Sequence, residues 1–578
     1  MKLLRPILVT LLALVCSLPA VASNAVHPAH GSKGMVATVR PEASKAGVAI
    51  MQQGGNAIDA AVAIGFALAV VYPDAGNIGG GGFLLFRRPE GEVHFLDYRE
   101  KAPAKAAANM YLDGKGNVVP DMSIIGYKAI GVPGSVAGLA YAQKHWGKLT
   151  LKQVMEPAIR LARDGFVLDY EEAKSFHDSQ LAQFPESHRI FQRDGEFYQQ
   201  GDLFKQPELA KTLERIAENP DDFYHGQIAR EIAASIQKGG GLITVDDLAH
   251  YEVKERQPIR GSYRGYEIIS APPPSSGGIA LAEILNILEG YDLAKEGDRS
   301  AESIHLTAEA FQRAFFDRAE FLGDPDFSKI PVAQLIDKRY GNAWRDTIPL
   351  RRATPSASLR RPAVFSQLDS YASSHPQPSS VREPEHTTHY SVVDPEGNAV
   401  SVTTTLNDAF GSRVTAEGLG FLLNNEMDDF TTKPGVPNMY GLIQGPANAV
   451  SPDKRPLSAM TPTIVLKNGK LFLVLGSPGG PTIITTVANV LMGVVDYGLN
   501  IQQAVNAPRF HDQWMPDQIE VEAVGISPDT IGILEHMGHK IKMSRGYWGD
   551  AECIAVDDKT GELLGASDGR NQGKALGF

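Results

Sequence analysis

Cysteine is nearly absent from this chain, which holds only Cys16 and Cys553. Cys16 lies in an N-terminal stretch whose layout predicts its removal, so the rest of the protein can form no internal disulfide and must be held together by burial. Basic charge is also scarce: 55 Lys and Arg stand against 67 Asp and Glu, a formal net charge of −12. Nothing so acidic presents a general cationic face to phosphates, which excludes nucleic acid as a partner. Long uncharged apolar runs are missing as well. Ile7 to Leu18 is too short to span a bilayer, and the alanine-rich run after Asp59 is ended by Asp74.

What is present begins with Lys2 and Arg5, the apolar stretch, and Ala20-Val21-Ala22, the three-part layout of a secretory signal. This predicts a leader over residues 1–22, whose loss makes the acidic balance two charges deeper. Val15 precedes Cys16 where a lipid-attachment box needs a small residue, so no membrane anchor is expected and the location is periplasmic or secreted. Beyond the leader, Asn56 is placed to cap a buried helix from Ala57 toward Val71 that stops at Pro73. Two β-rich runs, Phe83 to Arg88 and Val93 to Tyr98, flank a Pro-Glu-Gly-Glu turn. Residues 134–340 read as mainly helical, with amphipathic stretches at Leu151 to Arg163 and Ala301 to Phe321.

From about 351 to 386 the chain turns Ser/Pro/Arg-rich and aperiodic, the composition of a flexible linker. TTHYSVVD, a Pro395-Glu396-Gly397-Asn398 turn and AVSVTTTLN follow without transition and predict a β-hairpin. If Asp394 pairs with Ala399, Thr387 falls opposite Leu406, with Thr405 and Asn407 on either side. A second hairpin is expected around Asn468-Gly469 and a helix from Thr482 to Tyr497. A mid-chain threonine is a poor nucleophile. An amino-terminal one carries its own base, an α-amine of pKa about 8, so a cut before Thr387 would create nucleophile and base in one residue.

Taken together, KAGVAIMQQGGNAIDAAVA, NIGGGGF, FLDYREKAPAKA, the TTHYSVVD hairpin, LLNNEMDDF, KPGVPNMYGL, RPLSAMTPTIV, GSPGG and GASDGR resemble the γ-glutamyltransferase family over nearly the whole mature length. The resemblance implies an α+β fold, the four-layer αββα sandwich of the N-terminal-nucleophile hydrolases. It implies a precursor that cuts itself into a large subunit, 23–386, and a small catalytic subunit, 387–578, which stay together as a heterodimer. The implied chemistry is attack on γ-glutamyl amides such as glutathione, resolved by water or by an amino-acid or dipeptide acceptor, without cofactor or metal.

By the same resemblance Thr387 is the nucleophile and Thr405 the hydroxyl that contacts it. Gly479 and Gly480 supply oxyanion-hole amides, aided by the helix starting near Thr482. Arg99 grips the substrate α-carboxylate through a planar two-point donor. Asn407, Glu426 and Asp429 surround the α-amino group, Tyr440 belongs to a covering loop, and Ser458 helps hold the carboxylate. The family commonly has a second serine after that position; here it is Ala459, which removes one donor.

Other assignments are weaker. Ser451-Pro452-Asp453-Lys454 with Lys559-Thr560-Gly561 fits short serine β-lactamase motifs, but the order is wrong, no Ser-Asp-Asn lies between them, and the second falls in a turn. His386 and His389 lack further ligands at metal spacing. Asn77 to Gly82 lacks the Lys-Ser/Thr of a phosphate loop and reads as a close-packed turn. A cephalosporin-acylase-like amidase, favoured by Ala459, and a non-catalytic exported binding protein remain as alternatives.

Overall fold

The computed structural model describes residues 26–365, 368, 386–544 and 546–578. The predicted leader and the later part of the linker, 369–385, lie outside the described residues. Two seven-stranded sheets, each antiparallel throughout, stack face to face. The first runs in the order Lys574–Gly577, Met35–Thr38, Thr387–Val393, Ala399–Thr405, Gly81–Arg87, Val93–Asp97, Lys254–Arg256. The second runs Ala29–Gly31, Leu563–Ala566, Cys553–Val556, Lys470–Leu475, Thr463–Lys467, Tyr266–Ser270, Ile259–Tyr263.

Helices cover both outer faces. Pro41–Gln52, Ala57–Val71 and Ser135–Trp146 pack on the first sheet; Gly277–Leu288 lies on the second, backed by Ala301–Phe321 and Thr482–Val495. This is the expected helix–sheet–sheet–helix sandwich, a solution in which every sheet face is covered. The Ala57–Val71 helix is buried along its whole length. Asn56 caps it in a reciprocal box with Asp59, whose carboxylate also accepts from Gln143 Nε2 at 2.6 Å and Leu149 N at 2.9 Å. Such a network explains an acid in an otherwise apolar helix: every oxygen has a donor.

Three readings need correction. The central hairpin pairs Thr387 directly with Thr405, one residue away from the predicted register. Asp394 closes the turn itself: its N–H donates to Asn398 O at 3.1 Å, its Oδ1 accepts from Asn398 N at 3.0 Å, and Gly397 takes a φ of 85°. A three-residue turn with a left-handed glycine therefore replaces the four-residue one. Within 134–340, strands at Lys254–Arg256, Ile259–Tyr263 and Tyr266–Ser270 interrupt the helices. The first two are sheet edges, where polar residues are expected and the apolar signal is faint. The linker, finally, begins as fixed structure. Ser356 is buried and donates to Trp514 O at 2.6 Å, and Arg361 pairs with Asp317 and Glu320 between the rings of Phe316 and Phe321.

Among the described residues no helix is long and apolar enough to cross a membrane. Cys553 is buried in its strand, and burial pushes its thiol well above the usual range.

Candidate active site

Thr387 opens an inner strand of the first sheet, with its side chain on the face that meets the second sheet. That face is a row of hydrogen-bonding groups rather than hydrocarbon. His389 contacts Thr403 Oγ1 at 2.9 Å and Ser391 Oγ at 3.2 Å, and burial pulls its pKa down to about 3, so the ring is neutral. At the head of the row Thr387 Oγ1 lies 3.1 Å from Thr405 Oγ1. The Thr405 hydroxyl donates to the His386 carbonyl at 3.2 Å and accepts from Asn407 N–H at 2.8 Å. With its proton directed at His386, Thr405 can only accept from Thr387. The two hydroxyls and the peptide bond before Thr387 thus form one directed chain.

The loops around this point close a pocket lined by Arg99, Arg318, Thr387, Thr405, Asn407, Glu426, Asp429, Tyr440, Ser458, Ala459 and Gly480, with Leu442, Met460, Pro481 and Ile483 as apolar walls. Of the ten residues given a site role from sequence, nine lie in this lining, Gly479 is one residue outside it, and Ala459 lines it as well. The free volume is about 20 Å³, room for one water, so a ligand needs the wall to move.

One wall of the pocket is a hydrogen-bonded loop. Residues 438–442 are pinned by Asp428, which accepts from Met439 N at 3.0 Å, and by Asn438, whose Oδ1 accepts from Tyr440 N and Leu442 N at 3.1 Å each. The Tyr440 hydroxyl contacts Asn407 O at 2.6 Å and Oδ1 at 2.9 Å. Gly480, at φ 53°, lies under the ring, and a Cβ there would come within 2.9 Å of it. Asn77 to Gly82 packs against the other side: a Cβ on Gly80 would stand 2.0 Å from Thr405 O, so that turn is built for close approach.

Arg99 is buried, not the surface residue that its strand-end position would suggest, and it is already occupied. It pairs with Glu426 and Asp429, stands 3.8 Å from Glu100, and donates Nε to Pro456 O at 3.3 Å. Despite burial, the surrounding carboxylates hold its pKa above the usual guanidinium value. Burial raises the pKa of Glu100 to about 7 and that of Glu426 well above the usual carboxylate value, against the opposing pull of the Arg99 charge. Ser458 Oγ accepts from Met460 N at 3.0 Å, and its carbonyl accepts from Ser276 Oγ at 2.6 Å.

Sequence reasoning missed Arg318 and Glu100. Arg318 sits in the last turn of a helix buried on nearly every side although it also carries His305, Glu309, Gln312, Arg313 and Asp317, so only the packing, and no apolar pattern, shows that this cation has no solvent face. Glu100 follows Arg99 in the quoted FLDYREKAP segment but was given no role.

Elsewhere, His305, Glu309 and His539 bring one ligand atom each within 4.8 Å of one another. Each is engaged with protein: His305 Nδ1 meets His539 Nε2 at 2.7 Å, His305 Nε2 meets Pro349 O at 2.8 Å, and Glu309 holds Arg313 and Thr354 N. His386 Nδ1 lies 3.7 Å from Asp74 Oδ2.

Comparison with known proteins gives the same picture. The family model described as Gamma-glutamyltranspeptidase matches residues 43–578. The glutathione hydrolase proenzyme of Escherichia coli K12 is 49% identical over 555 residues, covering 95% of this chain and 93% of that protein. The cephalosporin acylase of Bacillus halodurans superposes with a TM-score of 0.83 at 29% identity, covering 96% of this chain and 97% of that one. The gamma-glutamyltranspeptidase of Helicobacter pylori gives 0.56 at 47% identity, covering 58% of this chain and 96% of that one. A paired-threonine strand head between two stacked sheets, with a family match running to the last residue, has one reading: the chain belongs to the gamma-glutamyltranspeptidase family of enzymes.

Proposed function

We propose that this enzyme is an exported, self-processing glutathione hydrolase and γ-glutamyltransferase that uses Thr387 twice. The observation that carries the reading is the hydroxyl chain from Thr387 through Thr405 to the His386 carbonyl. In the uncut chain Thr387 Oγ attacks that carbonyl. Its proton passes to Thr405 Oγ while the Thr405 proton moves to the carbonyl oxygen. Collapse re-forms the carbonyl and breaks the C–N bond, the intermediate's hydroxyl proton passing to the nitrogen, which leaves an ester on Thr387 with a free α-amine; water then hydrolyses the ester. The products are the large subunit, 23–386, and the small subunit, 387–578.

The mature amine is the base for the second reaction. It takes the Thr387 hydroxyl proton as Oγ attacks a γ-glutamyl carbonyl and returns it to the departing amine, and Gly479 and Gly480 N–H groups receive the oxyanion. Water or an amino-acid or peptide acceptor then resolves the γ-glutamyl ester. The substrate brings a carboxylate and an ammonium to a site that already holds a guanidinium and carboxylates in contact. Arg99 exchanges its internal partners for the substrate carboxylate, with Ser458 as a second donor. Glu426 and Asp429, with Asn407, exchange Arg99 for the ammonium. The exchange replaces pair by pair and strands no charge. Tyr440 and its loop open to admit the substrate and close over it.

The leader of residues 1–22 supports export to the periplasm or medium. Ala459 favours a second reading, an amidase with a different acyl preference, because a carboxylate donor is missing at that position. The test is purification of wild type and Thr387→Ala, followed by assay on γ-glutamyl-p-nitroanilide and a glutaryl amide. Two fragments and preferred turnover of the γ-glutamyl compound are expected of the wild type, and a single inactive chain of the variant. Fragments starting at 387 in Thr387→Ala would refute self-processing, and a preference for the glutaryl amide would select the amidase.

A further inference from the structure

Arg318 is the one pocket cation that the family reading leaves without a task. It enters from the last turn of Ala301–Phe321 and is 2% exposed. Nε donates to Ser276 Oγ at 2.9 Å, and Ser276 in turn holds the Ser458 carbonyl. Nη1 has no hydrogen-bond partner, and among the described residues no carboxylate reaches ion-pair distance. Arg99, lining the same pocket, has acids on both sides. The contrast shows in their titration: burial, against the opposing pull of the Asp429 carboxylate and helped by the neighbouring Arg99 charge, draws Arg318 down to about 10, whereas Arg99 is raised.

A buried guanidinium with a free donor is an unfavourable arrangement in the empty pocket and a favourable one once an anion arrives. The position is specific. Arg318 lines the pocket together with Ser458 and Ala459 and is tied to Ser458 through Ser276. Ala459, at the place where a second serine would donate, contributes only a methyl group.

We propose that Arg318 is a specificity-determining residue that pairs with the substrate carboxylate, supplying the donor that Ala459 cannot. This rests on the γ-glutamyl reading above and extends it. It assigns the carboxylate two guanidinium partners, Arg99 and Arg318, and makes a negatively charged acyl end a requirement of this pocket.

The experiment is steady-state kinetics of wild type, Arg318→Gln and Arg318→Lys on three p-nitroanilides. γ-Glutamyl carries carboxylate and amine, glutaryl the carboxylate alone, and 4-aminobutanoyl the amine alone. Arg318→Gln is expected to raise KM for the two carboxylate-bearing substrates by about 10-fold or more, as for loss of a charged hydrogen bond, and to leave 4-aminobutanoyl within about 2-fold. Arg318→Lys keeps the charge but loses the fork, so its KM should fall between the two. A gel showing both fragments certifies folding; if Arg318→Gln is not cleaved, the same split must appear in Arg318→Lys. An equal rise on all three substrates, or no rise on any, overturns the proposal, since a merely structural arginine cannot tell them apart. A wild type that ignores γ-glutamyl-p-nitroanilide would instead overturn the reading on which the proposal rests.

Discussion

At the scale of single residues, the site depends on where protons point. Thr405 is committed: with Asn407 N–H on its oxygen and His386 O as its acceptor, it can relay a proton to the scissile carbonyl without rotating. Thr405→Val keeps the shape and removes the relay, so the rate of appearance of the small fragment should fall on the order of 100-fold, the usual cost of a lost oxyanion donor. Thr405→Ser should restore it. His389 gives a pH prediction. Its folded pKa, about 3, lies below its ordinary value of 6.5, so its contribution to stability is complete above pH 6.5 and is lost as pH falls toward 3. The cost of His389→Gln, measured as a shift in urea midpoint, should therefore be largest above pH 6.5 and shrink on acidification. A cost independent of pH would mean that the ring is not held neutral.

At the scale of elements, much was legible and the failures are instructive. The Asn56-capped helix, the Asn468-Gly469 hairpin and the Thr482 helix follow from capping and turn chemistry, which is local. The register of the central hairpin was missed because a side chain, Asp394, accepts backbone N–H groups and shortens the turn, a contribution that strand patterning ignores. Residue identity gave Thr387, Thr405, Arg99 and the 426–429 acids through motif resemblance. That Arg99 is already paired, and that Arg318 shares its pocket, are tertiary facts: residues 99, 318 and 426 meet only when three distant segments pack. If the loop carrying Tyr440 opens for substrate as proposed, the bonds that hold it in place break on every turnover. Tyr440→Phe deletes the hydroxyl contact to Asn407, worth about 1 kcal/mol, so KM for γ-glutamyl-p-nitroanilide should rise about 5-fold while fragment formation is untouched. An unchanged KM would show that the loop closes through its backbone pins alone.

At the scale of the whole molecule, the position of the proposed cut before Thr387 relative to the sheets decides what it can do. Residues before 387 and residues after 386 supply strands to both sheets, and Met35–Thr38 lies between Thr387–Val393 and Lys574–Gly577. Breaking one peptide bond therefore releases no layer. The processed protein should run as two bands under denaturing conditions yet elute from a sizing column as one particle, with a single unfolding transition. Separate peaks under native conditions would contradict the shared sheets. The interleaving also has a direction in time. A strand threaded between two others by a chain that was once continuous has no obvious way back once that continuity is gone. Heated past its transition, the uncut Thr387→Ala chain should recover on cooling, whereas the mature pair should not, each fragment having lost the tether that set its neighbours. Each mature molecule would then be folded once, and its working life would end at its first complete unfolding.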